Sequence, residues 1–535
     1  MKDRVSLTDF LMYHKETHPI SFHMPGHKGR GTLYGIYGFG DFIKNVVGND
    51  ITEIPGADAL QQPRERIKDI MEGYAGLYGA KHTELLVNGS SAGLMASILG
   101  SVPRGGKLLM GRNSHKSVYG ALRLGGIDPV YIMPEIDSET GLQLGLDPDK
   151  IETALIEDPG IKAVLVTSPN YYGVLSDIER IASIVHLHGR ILIVDQAHGA
   201  HLKFFDYLRS EDGLPHRAAE NCGADIVVDS THKTLLSFTG SAILNICTER
   251  PDVSRISELL RMLQTTSPSY LLMGSLDINQ QILRMDGYNL IKNWDSDIKY
   301  FYEEAAQIAG LGLIDRIDLD ETKVSITMSA LGLSGPELAE ELEKRNIWVE
   351  LTHGDYVMLM TGLGNERGDY EDILTALRDL SAHHGGRIQG VEPESSASKT
   401  ESAAQNASQN QAKNEAQAMA KNEAQAANKN ASQAVDKNAE LRTPSSDSAL
   451  IERLEQRKIP DTYEEVPLYS AEGRVLYESI IPYPPGTPIA CPGEVLSKSV
   501  ILYVRDQLVA QHVVLGVDEE GRVKVEGDCV LFKEI

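Results

Sequence analysis

The stretch DSTHKTLLSFTGSAIL, from Asp229 to Leu244, places a serine, a histidine and a lysine just past the apolar run ADIVV. Burying an ammonium group is unfavourable unless it is paired or gives up its proton. Lys233 is therefore either a solvated charge beyond a strand end or a reactive amine, because a lysine of lowered pKa forms Schiff bases. Three other stretches bear on that choice. In LLVNGSSAGLMASILG an apolar strand runs into Asn88, Gly89, Ser90, Ser91 and Ala92, and a helix follows at once. Free N–H groups at that helix start, with two hydroxyls, form a cup for a phosphate; the serines could equally serve as ordinary caps. Neither GK[ST] nor GxGxxG accompanies it. In RNSHKSVYGAL, His115 stands between a strand and a helix, where it either meets solvent and a cap or stacks on a flat ligand. In ILIVDQAHGAH, Asp195 ends a strongly apolar strand, and Ala197 and His198 follow. A carboxylate there needs a partner: another side chain, or the protonated ring nitrogen of a cofactor lying over Ala197.

Ser230 and His232 could reach the same phosphate as Ser90 and Ser91. The four stretches together describe a ligand with a phosphate, an aromatic ring carrying a basic nitrogen, and a carbonyl. Pyridoxal 5′-phosphate has all three, and a lysine Schiff base with an aspartate partner for the pyridinium is its signature. No metal site is expected.

These residues need a scaffold. From about 80 to 250, short apolar runs (84–87, 107–110, 129–133, 163–167, 191–195, 225–229, 242–246) alternate with amphipathic helical patterns such as DIERIASIVHLHG. Strands apolar on both faces and separated by helices predict an α/β fold with a mainly parallel sheet covered on both sides. Ligands of such sheets bind outside the carboxyl ends of the strands, where the polar residues above collect. From about 315 to 385 a smaller α+β unit is expected: strand KVSITM, helix GPELAEELEKRN, strands around IWVEL and YVMLM, then helix YEDILTALRDLSAHH. TTSPSY (265–270) is either a loop reaching the cofactor or a plain turn after a helix.

From Glu392 to Glu440 the chain is almost all Ala, Asn, Gln, Ser, Lys and Glu, and AKNEAQA occurs twice, at 412–418 and 420–426. Such a segment cannot bury enough apolar surface to offset its ordering entropy, so a linker is expected. The expected division is an N-terminal segment 1–70, a cofactor-binding large domain 71–310, a small domain 311–390, a linker 391–447 and a C-terminal α+β domain 448–535. The formal charge of -25 argues against a general nucleic-acid or anionic-membrane binder. Four scattered cysteines without a CxxC pair suggest neither disulfides nor zinc. With no signal-peptide pattern and no apolar run near ~20 residues, a soluble cytoplasmic protein is expected.

The sequence also resembles the Orn/Lys/Arg decarboxylase family of fold type I pyridoxal-phosphate enzymes. FHMPGHKG, ITEIPGADAL, VNGSSAG, SHKS, TSPNYYGV, DQAHGAH and STHK occur in that order, with YPPGTP…PGE in the last domain. The resemblance implies that Lys233 holds the cofactor, Asp195 its ring nitrogen and His115 its ring face, with Ser90, Ser91, Ser230 and His232 around the phosphate. It implies decarboxylation of a basic amino acid in polyamine biosynthesis, arginine or lysine ahead of ornithine, and a homodimer with the site at the interface. Asp50, Glu53 and Glu494 are candidates for the cationic end of the substrate; each is alternatively an ordinary loop carboxylate. MPGHKG begins at residue 24, which implies the shorter, wing-less biosynthetic type, and the Ala/Asn/Gln-rich insert departs from the family pattern. The same cofactor apparatus would also serve an aminotransferase or an aldolase-type lyase, and a non-catalytic regulator is the rival from outside enzymology.

Overall fold

The computed structural model describes residues 6–385, 454–457, 459–460, 462–483, 488–509 and 513–527. By its contacts the chain forms two units, residues 1–381 with 446–535 and residues 382–445. The expected linker, 391–447, lies outside the described residues.

An N-terminal helix, Leu7–Thr17, is closed by a capping box in which Ser6 and Asp9 satisfy each other's backbone donors. Strand β1 (Ile20–Phe22) follows, and the chain then runs through short helices to the helix Arg66–Tyr78. The large sheet contains β2 (His82–Leu86), β3 (Lys107–Gly111), β4 (Asp128–Ile132), β5 (Ile161–Thr167), β6 (Ile191–Asp195), β7 (Ile226–Asp229) and β8 (Ala242–Ile246). Their order is β2-β8-β7-β6-β5-β3-β4. Only β8 runs against its neighbours; β4, β3, β5, β6 and β7 are parallel.

The central parallel strands β3, β5, β6 and β7 are mostly apolar because both faces are covered. Successive side chains point to opposite faces, so Leu108, Leu165 and Ile193 pack with Leu94, Ile98 and Val118 on one side. Leu109, Val164, Leu192 and Val194 pack with Ile151, Ile181 and Val185 on the other. Helices Gly89–Ser101, Lys116–Gly125, Pro148–Glu157, Ile178–Leu187 and Leu202–Glu211 make the crossovers.

Beyond the sheet, Asp252 caps the helix Val253–Leu263 and Ser269 caps the helix Tyr270–Ala305. TTSPSY is thus the turn between two helices, with Tyr270 Oη donating to Asp58 O at 2.6 Å. The long helix bends at Asp286, whose φ of -149° leaves helical geometry. It buries Met273, Leu276, Ile291 and Phe301 against Tyr74, Tyr78, Val357 and Leu377, joining the large sheet to the smaller unit.

That smaller unit is an antiparallel sheet of β9 (Gly312–Leu313), β10 (Lys323–Thr327), β12 (Leu351–His353) and β13 (Tyr356–Met360), ordered β12-β13-β10-β9. Helices Gly335–Glu343 and Arg367–Gly385 complete it. Strand β11 (Ile347–Val349) pairs in parallel with β1, tying the N-terminal segment to this unit. The C-terminal part has two antiparallel pairs, β14 (Tyr463–Pro467) with β17 (Arg522–Glu526) and β15 (Ile481–Tyr483) with β16 (Val513–Leu515). Its core, including Leu476, Ile480, Val500, Val504 and Val525, is separate from the others.

Candidate active site

Strands β6 and β7 are neighbours and end level with each other, Asp195 lying opposite Val228. Asp195 is buried, and its Oδ1 accepts from the Ala197 N–H at 3.2 Å. Burial raises its pKa; the Lys233 charge and the Ala197 hydrogen bond act against that rise. Beyond β7 the chain makes a single helical turn, Thr231–Thr234, which carries Lys233. Its Nζ lies 2.9 Å from His198 Nε2. Burial lowers the Lys233 pKa to about 8; Asp195 and Glu350 oppose this shift and Lys323 adds to it. The amine is therefore partly unprotonated near neutrality, a state an ordinary lysine does not reach.

His198 is buried, its Nδ1 has no partner, and its ring meets Tyr171 edge-on at 4.9 Å between centroids. Its pKa is driven well below the imidazole range by burial and by Lys233 and Lys323. His115 caps the helix Lys116–Gly125, its Nδ1 accepting from the Ser117 N–H at 3.3 Å. That bond leaves the ring proton on Nε2. Burial and the Lys233 charge lower its pKa to about 3. His232 Nδ1 bonds the Ser241 carbonyl at 2.7 Å, so it carries the proton. Burial lowers this ring to about 4, and only an anion nearby would let Nε2 become a second donor.

The helix Gly89–Ser101 starts without a side-chain cap, so neither serine acts as the ordinary N-cap. Gly89, at φ +68°, takes the left-handed turn that a Cβ would strain, and its N–H donates to Gly240 O at 2.8 Å. That bond sets the first turn of the helix beside the loop that follows Lys233. Ala92 is buried one turn in. Ser230 is fully buried and its Oγ has no partner.

The MPGHKG loop covers the Lys233 turn. Gly26 N–H donates to His232 O at 2.7 Å, and a Cβ on Gly26 would lie 2.3 Å from Leu235 O. Only a glycine permits that approach. Lys28 is buried with its Nζ 2.8 Å from both His23 O and Met360 O, and burial lowers its pKa to about 7.

Three carboxylates are expected at the cationic end of a substrate. Asp50 and Glu53 are exposed, and no hydrogen bond ties either to the Lys233 cluster. Glu494 is buried in an ion pair: Oε1 accepts from Arg112 Nε at 3.0 Å, and Oε2 from Arg112 Nη2 and Cys491 N–H, both at 2.7 Å. Its charge is already matched, so a ligand could reach it only by breaking that pair. Conversely, the buried Glu350, which accepts from Met24 N–H at 3.0 Å and Tyr171 Oη at 3.1 Å, was not singled out by the sequence. Lys323, Asp320 and His201 were likewise missed. Their one signal is a lysine opening an apolar strand, which looks like any strand boundary.

Residues 5–305 match the family description Orn/Lys/Arg decarboxylase, major domain, and residues 444–517 match its C-terminal domain. An arginine decarboxylase of Bacillus anthracis is 30% identical over 95% of this chain and 94% of its own length. A lysine decarboxylase of Pseudomonas aeruginosa is 23% identical over 90% and 73%. Among solved structures, the constitutive lysine decarboxylase of E. coli superposes with a TM-score of 0.67 at 19% identity, over 97% of this chain and 81% of that one. A sphingosine-1-phosphate lyase of Burkholderia pseudomallei gives 0.53 at 16% identity, over 72% and 92%. The large sheet, the small α+β unit and the separate C-terminal part give the chain the fold type I architecture. The chain belongs to the Orn/Lys/Arg decarboxylase family, and it is an amino-acid decarboxylase. No helix among the described residues is long and apolar enough to cross a membrane.

Proposed function

We propose that the protein decarboxylates a basic L-amino acid, arginine first, with pyridoxal 5′-phosphate held at Lys233. The observation that carries this reading is the Lys233 amine, 2.9 Å from His198 Nε2 and under the influence of the Asp195 carboxylate, in a chain of this family. The preference for arginine rests on the Bacillus relatives, named arginine decarboxylases and matched over nearly their whole length; those named for lysine are more distant.

The residues present suit the cofactor. The partnerless Ser230 Oγ and the uncapped helix start at Gly89 are donors for a phosphate. Asp195 suits a protonated ring nitrogen, which would supply the cation its buried carboxylate lacks. When bound, the cofactor supplies an electron sink for the bond to the departing carboxylate. Asp195 would hold a proton on the ring nitrogen. His115, neutral above about pH 3, would present its ring without adding charge. Lys233 and His198 would pass a proton between Nζ and Nε2, and Tyr171, packed on His198, would restrict water. The amine product is a polyamine precursor, and a cytoplasmic setting fits this chemistry.

A homodimer is part of the proposal. Phe10, Met12, Val47 and Ile54 are exposed apolar residues of the N-terminal segment, and Asp50 and Glu53 lie among them. A second copy seated there would bring these carboxylates to an intersubunit boundary, where they could meet the substrate cation. Sedimentation of the full chain tests this; a monomer at micromolar concentration contradicts it.

Incubating the cofactor-loaded chain with arginine, lysine and ornithine tests the reaction. The expected products are CO2 and the amine, with arginine turned over at least about tenfold faster than the others. Keto-acid formation without CO2 would overturn the reading. Lys233→Ala should lose at least about 10³-fold in activity and all borohydride-trappable cofactor.

A further inference from the structure

Behind His198 lies a buried ionic cluster contributed by the smaller unit. Lys323, the first residue of β10, is almost completely buried, and its Nζ donates to His198 O at 2.9 Å and to Asp320 Oδ2 at 3.0 Å. Asp320 Oδ1 faces His201 Nε2 at 3.1 Å and accepts from Thr322 Oγ1 at 2.8 Å. A buried ion pair of this kind is poor value for stability alone, because desolvation cancels most of the attraction and an apolar pair of equal volume does as well. Its location suggests another use. The carbonyl it holds belongs to the residue whose ring touches Lys233, and a Cβ on Gly173, at φ +90°, would lie 3.0 Å from the Lys323 Cβ.

We propose that Lys323 is a positioning residue: it fixes His198 against Lys233 through the His198 carbonyl and, balanced by Asp320, sets the electrostatic field at the Lys233 amine. This rests on the reading of Lys233 as the reactive amine. Other charged or titratable groups also act on that amine. Asp195 acts on it from the end of β6 and Glu350 from the segment between β11 and β12, while the amine's own charge acts on His115, His198 and His232. Asp195 and Glu350 favour the ammonium, and Lys323 opposes it.

The signs separate this role from a merely structural one. Removing the Lys323 charge leaves the Asp320 carboxylate facing the site, so the protonated form of Lys233 becomes easier to hold. Removing the Asp320 charge leaves no new anion, so that form gains nothing. Loosened packing, by contrast, would admit water in either variant and restore an ordinary lysine in both.

The test uses the full chain, freed of cofactor with hydroxylamine, and acylates its amines from about pH 6 to about pH 10. The peptide carrying Lys233 is quantified by mass spectrometry, and folding of each variant is checked by circular dichroism. In the unsubstituted chain Lys233 should label with a midpoint near 8. Lys323→Met should move that midpoint up and slow labelling at pH 7 by roughly three- to tenfold. Asp320→Asn should not move it up, and the double variant Lys323→Met/Asp320→Asn, which leaves no buried charge unpaired, should return towards the original value. An unchanged midpoint in Lys323→Met, or an equal rise in both single variants, would overturn the role of Lys323. An ordinary lysine midpoint in the unsubstituted chain would instead overturn the reading of Lys233 itself.

Discussion

Lys233 and Asp195 stand on adjacent strand ends, each buried and each shifted towards its neutral form by that burial. Three histidines around them behave the same way: His115 is lowered to about 3, and His27 and His232 to about 4. In the unfolded chain each would titrate near 6.5. Between these values the unfolded state binds more protons, so folding stability rises with pH there and is lost as pH falls from about 6.5 towards 3. The melting temperature should therefore drop steadily below about pH 6.5, and His232→Asn should flatten part of that slope. An acid profile unchanged by the substitution would refute the assignment. At this scale, the sequence exposes a residue only when its type clashes with its surroundings. A lysine or aspartate closing an apolar run announces itself; Tyr171 does not, because a tyrosine suits a core and its edge-on contact with His198 is set by folding.

Elements were easier to read than residues. All seven apolar runs from 84 to 246 are strands of one sheet, within a few residues at each end, because burial on both faces leaves a composition signal that no loop imitates. The helix Tyr270–Ala305 went unread. Buried polar residues such as Ser275, Asn279 and Gln280 interrupt its apolar face, and its kink shifts the period partway. The MPGHKG loop was recognisable as a motif, but its task was not. It needs the observed close approach of Gly26 to the backbone behind Lys233. Gly26→Ala would place a methyl 2.3 Å from Leu235 O. That collision is with backbone rather than with a flexible side chain, so one of the two segments must move. A cost of about 1–3 kcal/mol is expected, with weaker cofactor retention read by dialysis. Gly31→Ala, where nothing lies within 4 Å and φ is -93°, is the control and should leave retention intact.

For the molecule as a whole, the decisive contact joins residues 382 positions apart. Arg112, at the end of β3, is buried and surrounded by Glu494, the Pro488 and Ile489 carbonyls and the Tyr119 hydroxyl. Removing one member of such a pair strands the other charge. Arg112→Met should thus destabilise by about 3–5 kcal/mol, whereas Arg112→Met/Glu494→Met should recover most of it. Denaturant melts of both variants would show this, and equal losses would mean the pair acts only through packing. Because His115 lies three residues beyond Arg112, the single variant should also loosen cofactor binding.

The same pair has a temporal side. At about 5–20 residues per second, a ribosome that has released Arg112 needs roughly 20 to 80 seconds more to deliver Glu494. Throughout that interval the nascent large domain carries a guanidinium with no counter-ion where its core should close. Delivery of Glu494, rather than formation of the sheet, is then the event that gives Arg112 its counter-ion. A chain that stops short of Glu494 would carry every strand of the large sheet and leave the Arg112 guanidinium to water.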